Sequence, residues 1–387
     1  MTVHIGIIDQ DPVHLVTALL HRSFNAKKMI FIGVADQVLQ YQQLKSVVEA
    51  KGIETAFFEI PIDLNITAIK KKITELAEQV KQSQQQAYFN ASCGLRHHLL
   101  AAYEVFRSYH WPIYVVEDYN DELCWFSPEE KAPEQIEDHI GISDYLTLFG
   151  AECDIEENNI YLNLQHCIGS LGSKWANNAR ELDPGLATLN YLATACRKAQ
   201  RLDVELNEKQ QSYRELGMLI DDLTQSGLAS YDRGKLSFTS EEARRFANGE
   251  WLECYVYQLV EEIHTELKTI QDLTIAQQVY RKVGTQDVRN ELDVAAVVNN
   301  KMHIIECKTK SMANDGDDTL YKLESIRDLL GGLRARAMLV SFRPLKHHDI
   351  TRATELGLAL VGPDQLPKLK NHLYRWFLEA GGCITPH

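Results

Sequence analysis

The chain has 387 residues, 45% of them apolar and 24% charged, enough for two or three domains with real cores. Its formal net charge of −14 excludes a protein that coats nucleic acid by bulk electrostatics, though not an enzyme with a local basic surface. There is no run of about 18 apolar residues, so no transmembrane helix is expected. The sequence opens on a strand-like run without a charged-then-apolar leader. Its eight cysteines include no CxxC pair, so neither a zinc site nor a disulfide framework is expected and a reducing cytoplasm fits.

Residues 1–125 alternate short apolar runs at 3–8, 29–33, 55–60, 87–91 and 113–116 with helix-length segments at 12–22, 36–51, 66–82 and 95–109. This spacing predicts a mostly parallel sheet with helices on both faces, and such sheets bind ligands at the carboxyl ends of their strands. Those ends read Asp9-Gln10-Asp11-Pro12 after the first strand, Gly33 after the second, and Asn90-Ala91-Ser92-Cys93-Gly94-Leu95-Arg96-His97-His98 after the fourth. Small and polar residues at a helix start expose N–H groups to an anion, and Arg96 adds a planar fork for phosphate. A capped helix start without a ligand is the plain alternative. There is no GxGxxG and no Walker sequence, which argues against a dinucleotide enzyme or an NTPase.

Residues 123–126 suggest an edge strand, 128–139 an acidic loop, and 140–149 a segment completing the first domain. Residues 160–246 read as mainly helical, with Pro184-Gly185 opening one helix and a second over 208–225. Strands at 228–231 and 235–238 flank a tight turn at Asp232-Arg233-Gly234, and Thr239-Ser240-Glu241-Glu242 is a capping box for the next helix. Helix, helix and hairpin resemble a winged helix; the acidic Asp221-Asp222 in its second helix favours a spacing or dimerising module over DNA binding.

The C-terminal part is organised around 290–310. Apolar runs at 294–298 and 302–305 flank Asn299-Asn300, predicting a two-residue hairpin turn. That register pairs Val298 with Lys301 and sets Asp293 opposite Glu306, with Cβ atoms roughly 5 Å apart. Lys308, two residues on, points to the same face as Glu306. Two facing carboxylates repel unless a cation sits between them; oxygen ligands suit Mg²⁺ or Mn²⁺, and such an ion activates water and stabilises an attacked phosphate. The bland alternative is a hairpin ending in a solvated salt bridge. Upstream, Glu250 and Glu253 open an amphipathic helix, and Glu253 is the favoured third acid. Downstream, Lys322, Arg327, Arg334, Arg336, Arg343, Lys346 and Arg352 form either a nucleic-acid groove or a solvated face. The polar stretch 311–318 suggests a mobile loop; Asp315, Asp317 and Asp318 lack the spacing of a calcium loop.

Asp293 with Glu306-Cys307-Lys308 resembles the Asp…Glu-x-Lys core of the PD-(D/E)xK nucleases, although Leu292 replaces the usual proline. The strand, Asn90-x-Ser92-x-Gly94-x-Arg96 turn and helix resemble the ligand loop of a CARF domain, the Rossmann-like sensor of CRISPR defence. Together they resemble the CRISPR ancillary nucleases activated by cyclic oligoadenylate. The fold implied is α/β: a CARF domain over 1–150, a helical, winged-helix-like segment over 151–246, and a restriction-endonuclease-like domain over 247–387. The resemblance implies a homodimer binding cyclic tetra-adenylate through Asp9, Gln10, Asp11, Gly33, Asn90, Ser92, Gly94, Leu95, Arg96 and His97. It also implies cleavage of DNA and/or RNA, single-stranded and with weak sequence preference, with Mn²⁺ or Mg²⁺ held by Glu253, Asp293, Glu306 and the carbonyl of Cys307, and Lys308 assisting the attacking water. The rival reading is a ligand-responsive transcription regulator with an inactive nuclease fold.

Overall fold

The computed structural model describes residues 2–62, 64–117, 121–137, 140–154, 159–310 and 316–380. The first sheet follows from the runs of β-branched and aromatic residues at its start. Strands β1 (Thr2–Ile7), β2 (Lys28–Gly33), β3 (Glu54–Glu59), β4 (Gln86–Asn90), β5 (Ile113–Glu117), β6 (Glu122–Ser127) and β7 (Glu134–Gln135) are ordered β3-β2-β1-β4-β5-β6-β7. The first five run parallel. Helices α1 (Val13–Leu20) and α2 (Val38–Ala50) pack on one face; α3 (Ile66–Gln82) and α4 (Arg96–Ser108) cover the other with Ile69, Ile73, Ala101 and Phe106. Strand order reverses between β2 and β4, so the crevice of an open α/β sheet falls at the carboxyl ends of β1 and β4. The strand expected at the edge, β6, lies inside, because two residues of the expected acidic loop pair on its far side.

After the first sheet come α5 (Ile142–Leu148) and β8 (Ala151–Cys153). Expected at the start of the helical segment, β8 instead pairs antiparallel with the second large sheet. The middle holds α6 (Asn159–Asn177), α7 (Ala179–Ala199), β9 (Asp203–Glu205), α8 (Glu208–Gln211), α9 (Arg214–Gln225), β10 (Ala229–Asp232), β11 (Lys235–Phe238) and α10 (Glu241–Arg245). Pro184 does not open its helix: α7 begins five residues earlier and tolerates Pro184 inside it, at the loss of one intrahelical bond. The helix expected over 208–225 is broken where Tyr213 turns extended (φ −84°, ψ 109°). The hairpin turns on Arg233 and Gly234 alone, both at positive φ (47° and 84°), as a two-residue turn requires, and β9 adds a third strand.

The second sheet comprises β8, β12 (Ile270–Val283), β13 (Gln286–Val298), β14 (Lys301–Lys308), β15 (Arg336–Ser341) and β16 (Ala359–Val361), ordered β16-β15-β14-β13-β12-β8. It is flanked by α11 (Trp251–Glu266), α12 (Gly316–Gly331), α13 (His347–Glu355) and α14 (Leu369–Ala380). Successive strand residues face opposite ways, and both faces are buried. Val294, Ala296, Val298 and Ile305 pack with Trp251, Val256 and Leu259 of α11. Ala295, Val297, Met302 and Ile304 share a core with Leu320, Leu323, Ile326 and Leu330 of α12 and with Val13, Leu15, Val16 and Leu19 of α1. Each such Leu or Ile contributes about 1.5–3 kcal/mol by burial, so the second core locks α1 of the first sheet to the second sheet. Of the loop expected over 311–318, residues 311–315 lie outside the described residues, and Asp315 with them; α12 begins at Gly316.

Candidate functional site: a carboxylate cluster and a sensor crevice

The hairpin of β13 and β14 forms in the predicted register. Asn299 and Asn300 take positive φ (47° and 53°), the conformation that Asn tolerates and a two-residue turn demands. Val298 pairs with Lys301 and Val294 with Ile305, which brings Asp293 level with Glu306. The turn is anchored from outside: the Asn300 side-chain amide donates to Asp121 Oδ2 at 2.6 Å, and its backbone N–H donates to Gln271 Oε1 at 2.6 Å.

At the open end, Asp293 Oδ2 accepts the Cys307 N–H at 2.7 Å, and Lys308 Nζ donates to Glu306 Oε1. Glu253 joins them from the first turn of α11. Burial first, then Asp293, Glu250, Glu291 and Glu306, hold its carboxyl well above the usual range. Burial and then Glu306 push Asp293 up to about 8, against the pull of the Cys307 N–H and of Lys308. Burial would lower Lys308, but Glu306 and Asp293 outweigh it and keep the ammonium above its ordinary value. Two of the three predicted acids are thus strained toward their protonated forms.

The helix that delivers Glu253 is held by a special turn. The chain kinks between α10 and α11 at Gly249, which sits at φ 123°; a Cβ there would collide with Thr309 Oγ1, next to Lys308 in the chain. The same turn brings Glu250 in, with its carboxyl raised by burial and opposed by Arg245, whose Nε donates to Glu250 Oε1 at 2.8 Å. Arg245 and Glu291 were not singled out in the sequence. The signal for Glu291 was its place two residues before Asp293 on one strand; nothing local marked Arg245.

A divalent cation fits this donor set, because Glu250, Glu253, Glu291, Asp293 and Glu306 outnumber Lys308 and Arg245 around one spot. The fit is to the charge rather than to a finished cage: among the described residues no three His, Cys, Asp or Glu side chains are already arranged around a metal position. Asp293 and Glu306 are turned instead to the Cys307 amide and to Lys308.

Five of the basic residues between Lys322 and Arg352 are engaged within the protein. Arg327 bonds Asp328 and the Leu356 carbonyl, Arg336 the Trp376 carbonyl and Glu379, Arg343 Asp183 and the Thr309 carbonyl, Arg352 Glu355, and Arg334 Asp11. These arginines serve intramolecular contacts, a use that charge counting along the chain cannot foresee.

In the first sheet, the crevice loops form one hydrogen-bonded unit. Asn90, buried, donates from Nδ2 to the His14 carbonyl at 2.9 Å, while its Oδ1 accepts from the Ser92 N–H and hydroxyl. Ser92 Oγ accepts the Val116 N–H at 2.8 Å. Gly94, at φ 122°, packs where a Cβ would strike Ile7, and its N–H donates to Asp9 Oδ2 at 2.9 Å. Asn90 and Ser92 are therefore consumed in building the turn, whereas Leu95 and Arg96 stand exposed at the start of α4. Gln10 is exposed beside them, and His97 is half-buried with its ring 4.2 Å from that of His98. Gly33 lies at the end of β2 against Phe57. Asp11 points away from these groups to Arg334, at 3.1 Å.

A parallel sensor sheet, a helical middle and a mixed sheet with a carboxylate-lysine hairpin define a sensor-coupled nuclease architecture. The family model described as the Card1-like endonuclease domain matches residues 240–380. Protein VC1899 from Vibrio cholerae, known from its crystal structure, is 60% identical over 98% of this chain and 99% of that chain, with a TM-score of 0.94. The chain belongs to the same family as that protein, and its C-terminal part is a Card1-like endonuclease domain. Two more distant structures share its fold. Can2 from Sulfobacillus thermosulfidooxidans, solved in complex with cyclic tetra-adenylate, is 22% identical over 97% of this chain and 99% of that chain, with a TM-score of 0.79. A type III CRISPR defence DNA nuclease activated by cyclic oligoadenylate is 12% identical over 95% of this chain and 51% of that chain, with a TM-score of 0.54. No curated protein matches. Among the described residues no helix is long and apolar enough to cross a membrane.

Proposed function

We propose that this endonuclease hydrolyses phosphodiester bonds in DNA or RNA with Mn²⁺ or Mg²⁺ and is switched on by cyclic tetra-adenylate. The observation that carries the proposal is the convergence of Glu253, Asp293 and Glu306 beside Lys308, with two carboxyls raised by burial and mutual repulsion. Glu253, Asp293, Glu306 and the Cys307 carbonyl would hold the ion, which supplies an activated water and charge stabilisation at the phosphate. Lys308 acts as a charged donor rather than a base, since its neighbours keep the ammonium protonated; it steadies charge developing on the attacked phosphate. The carboxylates hold the ion only when deprotonated, and its arrival frees them from the repulsion that raises them.

The activator is proposed to lie across the carboxyl ends of β1 and β4, with its phosphates near the Gly94 N–H and Arg96 and its bases near Gln10 and His97. A homodimer is supported by apolar side chains left exposed beside that crevice: Ile62 (66%), Leu64 (75%), Leu95 (51%) and Leu100 (68%). A twofold ligand suits a twofold interface. The test is cleavage of labelled single-stranded DNA, single-stranded RNA and supercoiled plasmid in Mn²⁺, with and without cyclic tetra-adenylate, beside Asp293→Ala. Cleavage confined to the activated wild type supports the proposal and names the substrate. Failure to cleave any of the three despite bound activator overturns it.

A further inference from the structure

We infer that the Asp11–Arg334 ion pair is the joint through which occupancy of the sensor crevice reaches the catalytic hairpin; this rests on the proposed activation and names its route. Asp11 belongs to the loop between β1 and α1, at the crevice. Its side chain leaves that crevice and meets Arg334 at 3.1 Å, with side-chain exposures of only 16% and 12%. Arg334 ends the turn Gly332–Arg334 that follows α12. Gly332, at φ 63°, lies so close that a Cβ on it would come within 3.3 Å of Asp11 Oδ2, and the Tyr145 hydroxyl donates to the Gly331 carbonyl at 3.2 Å. The far end of α12 begins eight residues after Lys308, and its Leu320, Leu323, Ile326 and Leu330 pack with Met302 and Ile304 of β14, the strand that carries Glu306 and Lys308.

The crevice end of the same loop is also fastened. Asp9 Oδ2 accepts the Gly94 N–H at 2.9 Å, and the Asp11 carbonyl accepts from Cys93 Sγ at 3.4 Å. An anion arriving at the Gly94 N–H competes with the Asp9 carboxylate for that donor and repels it. Release of Asp9 moves a loop whose next acidic residue grips Arg334, so the change is passed to α12 and from its packed face to β14. A ligand shifts such an equilibrium only by its differential affinity for the two loop positions, and here that difference is the contest with Asp9. The largely covered pair makes the transfer stiff: a partly desolvated ion pair is poorly replaced by water.

The test uses the full chain and four variants: Arg334→Gln, Arg334→Lys, Asp11→Asn and the double variant Asp11→Asn/Arg334→Gln. Affinity for cyclic tetra-adenylate, thermal midpoint, and cleavage with and without activator are measured in each. Arg334→Gln is expected to keep its ligand affinity and unactivated cleavage within about threefold, while the ratio of activated to unactivated cleavage falls by roughly tenfold, within the usual range of allosteric coupling. The double variant is expected to lose no more than the larger single loss, as members of one interaction do, and Arg334→Lys to retain most of the ratio. An unchanged ratio in Arg334→Gln, losses that multiply in the double variant, or a lysine variant as impaired as the glutamine one would overturn the joint. A wild type that neither binds nor responds to cyclic tetra-adenylate would overturn the proposed function itself, and with it this route.

Discussion

The two loops that build the two sites are chemical opposites. In the loop from Asn90 to Gly94, the carboxamide, the hydroxyl and the glycine N–H all have partners within the protein, and an internal carboxylate, Asp9, occupies the N–H where an anion is expected. At the hairpin from Asp293 to Lys308, carboxylates crowd one another and Glu253 of α11, and Asp293 and Glu253 are held above their ordinary range. The polar groups of the first loop are paired within the protein, whereas the carboxylates of the second repel one another. On the proposed function, a ligand would enter the first site by displacement and the second by relief of repulsion.

The largest expected effect breaks the second region outright. Asp293→Ala or Lys308→Ala is expected to lower activated cleavage by on the order of 10³-fold, with affinity for cyclic tetra-adenylate unchanged. Normal cleavage by either variant would remove those residues from the site. Gly249→Ala should come next: the side chain collides with Thr309 at a backbone angle L-residues rarely adopt, costing about 1–3 kcal/mol and lowering cleavage roughly 10-fold by displacing Glu253. Calorimetry and initial rates together check this.

A subtler expectation concerns pH. The folded Asp293 carboxyl titrates near 8, above the roughly 3.9 of an unfolded chain, so the folded state holds the proton more tightly. Its contribution is full below about pH 4 and is lost as pH rises toward 8. Metal-free protein should lose a few degrees of thermal midpoint across that window, and Mn²⁺ or Asp293→Asn should flatten the slope; a metal-free midpoint that rises with pH across the window would contradict the repulsion. The smallest effect sharpens the first region. Asp9→Asn keeps the shape of the acceptor and removes its charge, so affinity for cyclic tetra-adenylate should tighten by about fivefold, the equivalent of roughly 1 kcal/mol. Weaker binding would show that Asp9 contacts the activator rather than standing in for it.

The hairpin was legible because its signals are local: Asn299-Asn300 set the turn, and a strict two-residue period carried the register to Asp293 and Glu306. The alternating strands and helices of the first sheet were legible for the same reason. What was missed depends on residues far apart in the chain. Ala151–Cys153 is too short to show a period and becomes a strand only because β12 is there to pair with it. The clustered arginines after Lys322 look like a groove along the chain, yet Arg334 and Arg343 each find a carboxylate more than 100 positions away, at Asp11 and Asp183. The pairing of Asp11 with Arg334 has no local signal either. The Gly249 kink needed knowledge of Thr309 across the site.

We propose that Glu253, Asp293 and Glu306 hold a divalent cation. Titration of the metal-free protein with Mn²⁺, read by calorimetry or electron paramagnetic resonance, tests it most directly. Wild type is expected to bind Mn²⁺ at this site with release of protons, and Asp293→Asn to bind it at least 10-fold more weakly with fewer protons released. Equal affinity and equal proton release in the two proteins would contradict the account.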